Sequence, residues 1–175
     1  MAALVSALVM LPFAAAPARA ATACAHADAR PGYDSGEVVR RATLCLLNQE
    51  RARRRLTRLG PDRRLALAAR RHARDMVRQG YFAHESLSGT PFTERIHRTG
   101  YTVGRAWRLG ENLGWGGGSH ATPTAMVRAW MASPGHRANV LGRYREVGVG
   151  LALGAPVPGQ PDAATYATEF GKVKR

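Results

Sequence analysis

The sequence predicts a single α+β domain, and three observations carry that prediction. Helical periodicities fill the first half of the chain, strand-like segments gather near its end, and the two kinds do not alternate. The length of 175 residues suits one domain, since domains usually hold roughly 100–150 residues. A hydrophobic content of 45% supplies enough apolar side chain for a core and argues against a disordered chain. Outside the extreme N-terminus no apolar run reaches the length of a membrane span, which excludes a polytopic membrane protein.

Residues 3–16 read ALVSALVMLPFAAA, and Ala18-Arg19-Ala20 follows as an A-x-A site. This layout predicts a secretory signal peptide over residues 1–20, cleaved after Ala20. No Lys or Arg precedes the apolar run, so a retained signal anchor stays open as the alternative. A lipoprotein reading is weaker, because the residue three before Cys24 is not a large aliphatic one. Export favours disulfides, and Cys24 and Cys45 allow one pairing within the chain. The expectation is a Cys24–Cys45 bridge holding an N-terminal arm, residues 21–37, onto the first helix of a domain spanning 38–175. Two free thiols are the alternative.

The first helix is expected from Val38 to Leu59, with Ala42, Cys45, Leu46, Ala52, Leu56 and Leu59 sharing one face. Gly60-Pro61 should stop it, and Asp62 should cap a second helix from Arg63 to Gln79, closed by Gly80. Thr90-Pro91 opens a short third helix through about His97. Residues 105–113 read as a strand leading into a loop made of Gly114, Gly116, Gly117 and Gly118. Thr122-Pro123 starts a helix over 123–132, and Ser133-Pro134-Gly135 breaks it and caps another over 134–140. Two strands, about 144–153 and 164–171, close the chain.

The chain is strongly basic, with a net charge of +14, and 24 of its 26 cationic residues are arginine. A composition biased toward Ala and Arg explains this blandly. A surface field suited to an anionic partner explains it functionally. Expected export removes nucleic acid as a partner.

Some local motifs carry nothing. Gly148-Val149-Gly150 with Gly154 imitates part of a phosphate loop but sits inside a strand with no helix after it. No Walker loop, H-E-x-x-H or G-x-S-x-G occurs. The more informative residues are dispersed: His84 after the second helix, Glu111 in Gly110-Glu111-Asn112-Leu113, and His136 in Ser133-Pro134-Gly135-His136. Near a helix N-terminus His136 is disfavoured as imidazolium, so it would be neutral near neutral pH, as a metal ligand or general base must be. Two imidazoles and a carboxylate suit a divalent ion such as zinc, with one position left for water. Ser133 reads as a helix cap before it reads as a nucleophile. His72 reads as a packed histidine and His97 as a solvated one, while His26 and His120 fall in loops.

Six segments in order resemble the CAP superfamily of cysteine-rich secretory, antigen 5 and pathogenesis-related proteins, in its short bacterial form. They are Leu46-Leu47-Asn48-Gln49-Glu50-Arg51, Tyr81-Phe82-Ala83-His84-Glu85-Ser86, Gly110-Glu111-Asn112-Leu113, AWMASPGHRANVL from Ala129, YREVGVG from Tyr144, and YATEFG from Tyr166. The resemblance implies an α-β-α sandwich with about three antiparallel strands. It implies a cleft with two histidines and two acids, matched by His84, Glu111 and His136, with Asn112 beside them. The family's second acid, three residues after the helix tryptophan Trp130, is Ser133 here, so one carboxylate of the tetrad is missing. The function this suggests is a secreted or wall-associated, monomeric binding module for a divalent metal, a lipid or a peptide. Family members are associated with sterol and fatty-acid binding. Two alternatives stand beside it. One is a metal-assisted peptidase with Glu111 as base, and the other is adhesion to anionic envelope polymers or lipid through the arginines.

Overall fold

A computed structural model describes residues 23–104, 106–160 and 162–174. The expected signal segment lies outside the described residues. The elements run α1 (Gly36–Ala52), β1 (Gly60–Pro61), α2 (Arg63–Gln79), α3 (Phe92–His97), β2 (Trp107–Gly117), a 3-10 turn (Gly118–Ala121), α4 (Pro123–Ala132), α5 (Pro134–Val140), β3 (Glu146–Leu153) and β4 (Ala163–Val173). The sheet order is β1-β3-β4-β2. Strands β2, β3 and β4 are antiparallel, and the two-residue β1 pairs parallel with β3. Helices cover both faces, so the fold is the expected α-β-α sandwich, with a mixed rather than purely antiparallel sheet.

Alternation along β2 and β4 decides which side chain meets which layer. Tyr166 and Phe170 enter the larger core with Val39, Leu47, Met126, Val127 and Trp130 from α1 and α4. Leu113 and Ala167 point the other way, onto Ala69, Ala73 and Met76 of α2. Helix α2 lies directly on β3. A Cβ at Gly148 would come within 2.0 Å of the Ala66 amide nitrogen, and one at Gly150 within 2.2 Å of the Ala69 carbonyl carbon. The Gly-Val-Gly of β3 therefore serves helix-to-sheet contact and not phosphate binding.

Local signals hold where they are local. The Asp62 carboxylate accepts from the Arg64 and Leu65 amides, and Gly80 closes α2 in the left-handed conformation at φ 68°. Four expectations change. Helix α1 ends at Ala52, not Leu59, because the chain turns back at Arg55 (φ 55°) and the Asn48 side chain bonds both the amide and the carbonyl of Leu59. Gly60 and Pro61 then form a strand instead of a helix stop. The Gly-rich stretch is strand rather than loop, since β2 continues to Gly117. Its glycines admit neighbours: a Cβ at Gly114 would meet Met126 Sδ at 2.3 Å. Pro91 sits one residue before α3, at the cap and not at the first helical position.

The arm is anchored. Cys24 and Cys45 form a disulfide, and Thr124 donates from both its amide and its hydroxyl to the Ala27 carbonyl. The bridge ties residues 21 positions apart, and a loop of that size stabilises by roughly 3 kcal/mol in the chain-entropy description. Urea unfolding with and without reductant should therefore differ by about 3 kcal/mol. Two alkylatable thiols in the native, unreduced protein would contradict the bridge.

Candidate functional site

Strand β2 is an edge of the sheet, and the carbonyls of its first half accept hydrogen bonds from side chains. Tyr144 Oη donates to Leu109 O at 3.2 Å, Asn139 Nδ2 to Glu111 O at 2.9 Å, and Trp130 Nε1 to Leu113 O at 2.8 Å. Asn112 is fully buried and works on the same docking. Its amide donates to His136 O at 3.0 Å, and its Oδ1 accepts from Asn139 at 2.9 Å. Asn112 is thus a bracket between β2 and α5, which carries His136, and not an exposed cleft residue.

Glu111 projects to the α2 side. Its carboxylate is enclosed, and both oxygens are engaged. His84 Nδ1–H donates to Oε1 at 2.8 Å, and Arg95 Nη2 donates to Oε2 at 2.6 Å. Arg95 Nη1 also donates to the carbonyls of His84 and Thr90, which fixes the loop carrying His84. His72 packs beneath, its Nε2–H donating to Ala83 O at 2.9 Å and lying 4.0 Å from Glu111 Oε2.

Sequence reasoning missed two members of this cluster. Arg95 is one. The other is Glu169 on β4, directly opposite Glu111 in the register and completely buried. No donor group among the described residues reaches either Glu169 carboxyl oxygen, and its polar neighbour is the Glu111 carboxyl group. Burial, then the Glu111 charge, pushes Glu169 well above the ordinary carboxylate range. Burial acts the same way on Glu111, but the His84 hydrogen bond and the Arg95 charge outweigh it and hold that group low. A signal for Glu169 was present: it is an acid inside a strand whose neighbours are apolar or small on both faces.

The two expected histidines differ in character. His84 is raised above its ordinary value by its hydrogen bond to Glu111, and its side chain is 55% exposed. His136 is lowered by burial and then by the charge of His84. His84 and Glu111 are therefore in direct contact, while His136 joins them through electrostatics. Among the described residues no group of three His, Cys, Asp or Glu side chains is arranged to hold a metal ion.

His136 and Ser133 instead line a groove of about 640 Å³ beside the second half of β2. Phe82, Leu113, Trp115, Met126 and Trp130 form its apolar wall, and His120 joins its rim. Ser133 occupies the cap position of α5, but its hydroxyl makes no capping bond. His120 belongs to the 3-10 turn rather than to an uninvolved loop.

These environments order the titrations. Proton NMR should place His84 above the ordinary imidazole value, and His72 and His136 below it. The His84–Glu111 pairing contributes its full stability below the ordinary value and loses it as pH rises through the raised one. Glu111→Gln should bring His84 down, and His84→Ala should let His136 rise. An unmoved His136 in His84→Ala would mean the two rings do not share a site.

Comparison with known proteins bears on the family and the fold. The family model described as cysteine-rich secretory protein family, CAP, matches residues 44–159. YkwD of Bacillus subtilis is 37% identical over 107 residues, covering 60% of this chain and 39% of its own length. An extracellular SCP-domain protein of Bacillus anthracis superposes with a TM-score of 0.60 at 25% identity, over 81% of this chain and 44% of that one. An outer surface protein of Borrelia burgdorferi superposes at 0.66 and 22% identity, over 81% of this chain and 96% of that one. The chain thus spans less than half the length of either Bacillus protein. With two thirds of its length matched by the family model and its fold shared by solved SCP domains, the chain belongs to the cysteine-rich secretory protein (CAP) family.

Proposed function

We propose that this is an extracellular binding module whose groove takes the apolar chain of an amphipathic, lipid-like ligand, with the polar end beside His136. One observation carries the reading. The groove is walled by aromatic and sulfur side chains, two of them left open to solvent, Trp115 at 37% and Phe82 at 44%. Open aromatic surface beside a few polar groups is the usual form of a small-molecule site. The disulfide supports an oxidising, extracellular setting, as do the words extracellular and outer surface in the descriptions of the structural neighbours. Among the described residues no helix is long and apolar enough to cross a membrane.

A peptide ligand fits less well. Addition of a strand to β2 would need its free edge, and the carbonyls of Leu109, Glu111 and Leu113 are already capped. A hydrolytic reading asks Glu111 to act as a base. Its side chain is shut off from solvent, and each oxygen already accepts from a cation or an imidazole.

A metal is the second reading, and the position of His84 favours it. Glu111 holds Nδ1, which orients the ring as carboxylates do for metal-ligating histidines. The donor set then becomes His84 and His136, with Glu111 as orienting group and not as ligand. An ion held there would supply positive charge to anchor an anionic ligand head.

Two measurements test these readings. A brominated long-chain fatty acid should quench tryptophan emission saturably. Ala129→Phe, which fills the groove from an exposed position on α4, should weaken binding by about tenfold, or about 1.4 kcal/mol. Equal quenching in wild type and variant would place the lipid elsewhere. Zinc titrated by calorimetry should bind once, and not at all to His84→Ala/His136→Ala. Heat that persists in that variant would remove the metal from this site and leave the groove reading standing.

A further inference from the structure

Helix α2 carries six arginines in 17 residues and a single acid, Asp75. At 100° per residue, Arg63, Arg64, Arg70, Arg71, Arg74 and Arg78 fall within an arc of about 120°, opposite the buried Leu65, His72 and Met76. An amphipathic helix sends any polar residue to its outer face, so the arc alone decides nothing. The pairing does. Arg41 on α1 pairs with Glu37, and Arg53 and Arg54, just past its end, share Glu50. Among the described residues, the one α2 arginine with a carboxylate partner is Arg78, on Asp75 at 3.1 Å. Arg63, Arg70, Arg71 and Arg74 make no ion pair among the described residues. A bias toward arginine would supply both helices alike and does not explain why one lacks acids.

The surface is also shaped. Two hollows flank the arginine ridge and share Arg74 and Arg78. One, of about 320 Å³, adds Arg71 and Arg95, with His72 and Asp75. The other, of about 430 Å³, adds Arg40 over a floor of Val77, Leu151 and Leu153, with Asp34 at its edge. Burial lowers the Arg40 guanidinium first, and the charges of Arg70 and Arg74 add to it against the opposite pull of Glu37.

We propose that this ridge and its two hollows bind a linear polyanion whose successive phosphate or similarly charged groups sit on either side of Arg74 and Arg78. The ridge from Arg63 to Arg78 is about 22 Å long, room for several charges of an extended polymer. Concavity favours a single chain over a bilayer, since a flat membrane face cannot enter the hollows. Arginine forks suit phosphate oxygens bidentately. The site lies on α2, apart from the β2 groove, and does not rest on the groove's occupant.

The test uses long-chain inorganic polyphosphate and the purified protein, with binding followed by fluorescence anisotropy over a range of salt. Affinity should fall linearly on a log–log salt plot, by a slope of roughly −0.7 per charge contact for a single-stranded polyanion. Arg71→Ala/Arg74→Ala/Arg78→Ala should lose at least tenfold and flatten that slope. Alanine is the best helix former, so the variant should keep its helical signal. Arg58→Ala/Arg128→Ala/Arg143→Ala removes the same charge from exposed positions elsewhere and should bind like wild type. Equal losses in both variants would show a whole-surface field and overturn the site. Binding to phosphatidylglycerol vesicles but not to polyphosphate would overturn the polymer as occupant.

Discussion

The seating of α5 on the edge strand β2 is the constraint on which the candidate site depends. Asn112 and Asn139 make it, each bonding the other's element, and Trp130 repeats the device from α4 by donating to Leu113 O. Buried carbonyls at a sheet edge cost free energy when unpaired, so these amide and indole donors are structural needs as much as positional ones. Arg51 extends the seating to α1. Its buried guanidinium donates to the carbonyls of Val140, Gly142 and Tyr144 at the exit of α5, and to Thr57 in its own loop. Burial lowers this group, yet four carbonyl acceptors satisfy its donors. Arg51, Asn112, Trp130, Asn139 and Tyr144 of the family-like segments are therefore fasteners of α4, α5 and β2, the frame in which His136 stands.

On the opposite face the sheet places two carboxyl groups side by side, and their surroundings push them apart. Glu111 is held low because His84 and Arg95 reach it, and Glu169 is pushed up because burial and the Glu111 charge outweigh the pull of Arg95. Like charges sharing a buried site routinely divide in this way. The arrangement has a consequence for His84. Its Nδ1–H is directed at a carboxylate that cannot turn away, so its Nε2 is directed outward. The missing acid of the family tetrad is thus not replaced on the exposed side, since Glu169 stands beside Glu111 on the neighbouring strand and is completely buried.

What the sequence revealed and what it hid divide by the range of the interaction. The caps Asp62 and Gly80 were legible because each bonds within its own turn. The end of α1 was not, because Asn48 seizes Leu59 across a turn that no periodicity announces. The glycines near Trp115 suggested a loop, yet they are where Met126 and Trp130 approach a strand. His84 and Glu111 were found through ordered motif resemblance and not through spacing. Arg95 and Glu169 needed the register, which pairs β2 with β4, and the packing of α3 against the loop before it.

The same logic separates the two surfaces of this protein. Arg95 borders the arginine hollow on α2, but its terminal nitrogens donate to Glu111, His84 and Thr90, and its Nε is buried without a partner among the described residues. It cannot serve an external anion without releasing the His84 loop. In that hollow the arginines without an ion pair among the described residues are then Arg71 and Arg74, with Arg78 held by the Asp75 carboxylate. A ligand on α2 would reach the His84–Glu111 pair through its field and not through a moving side chain.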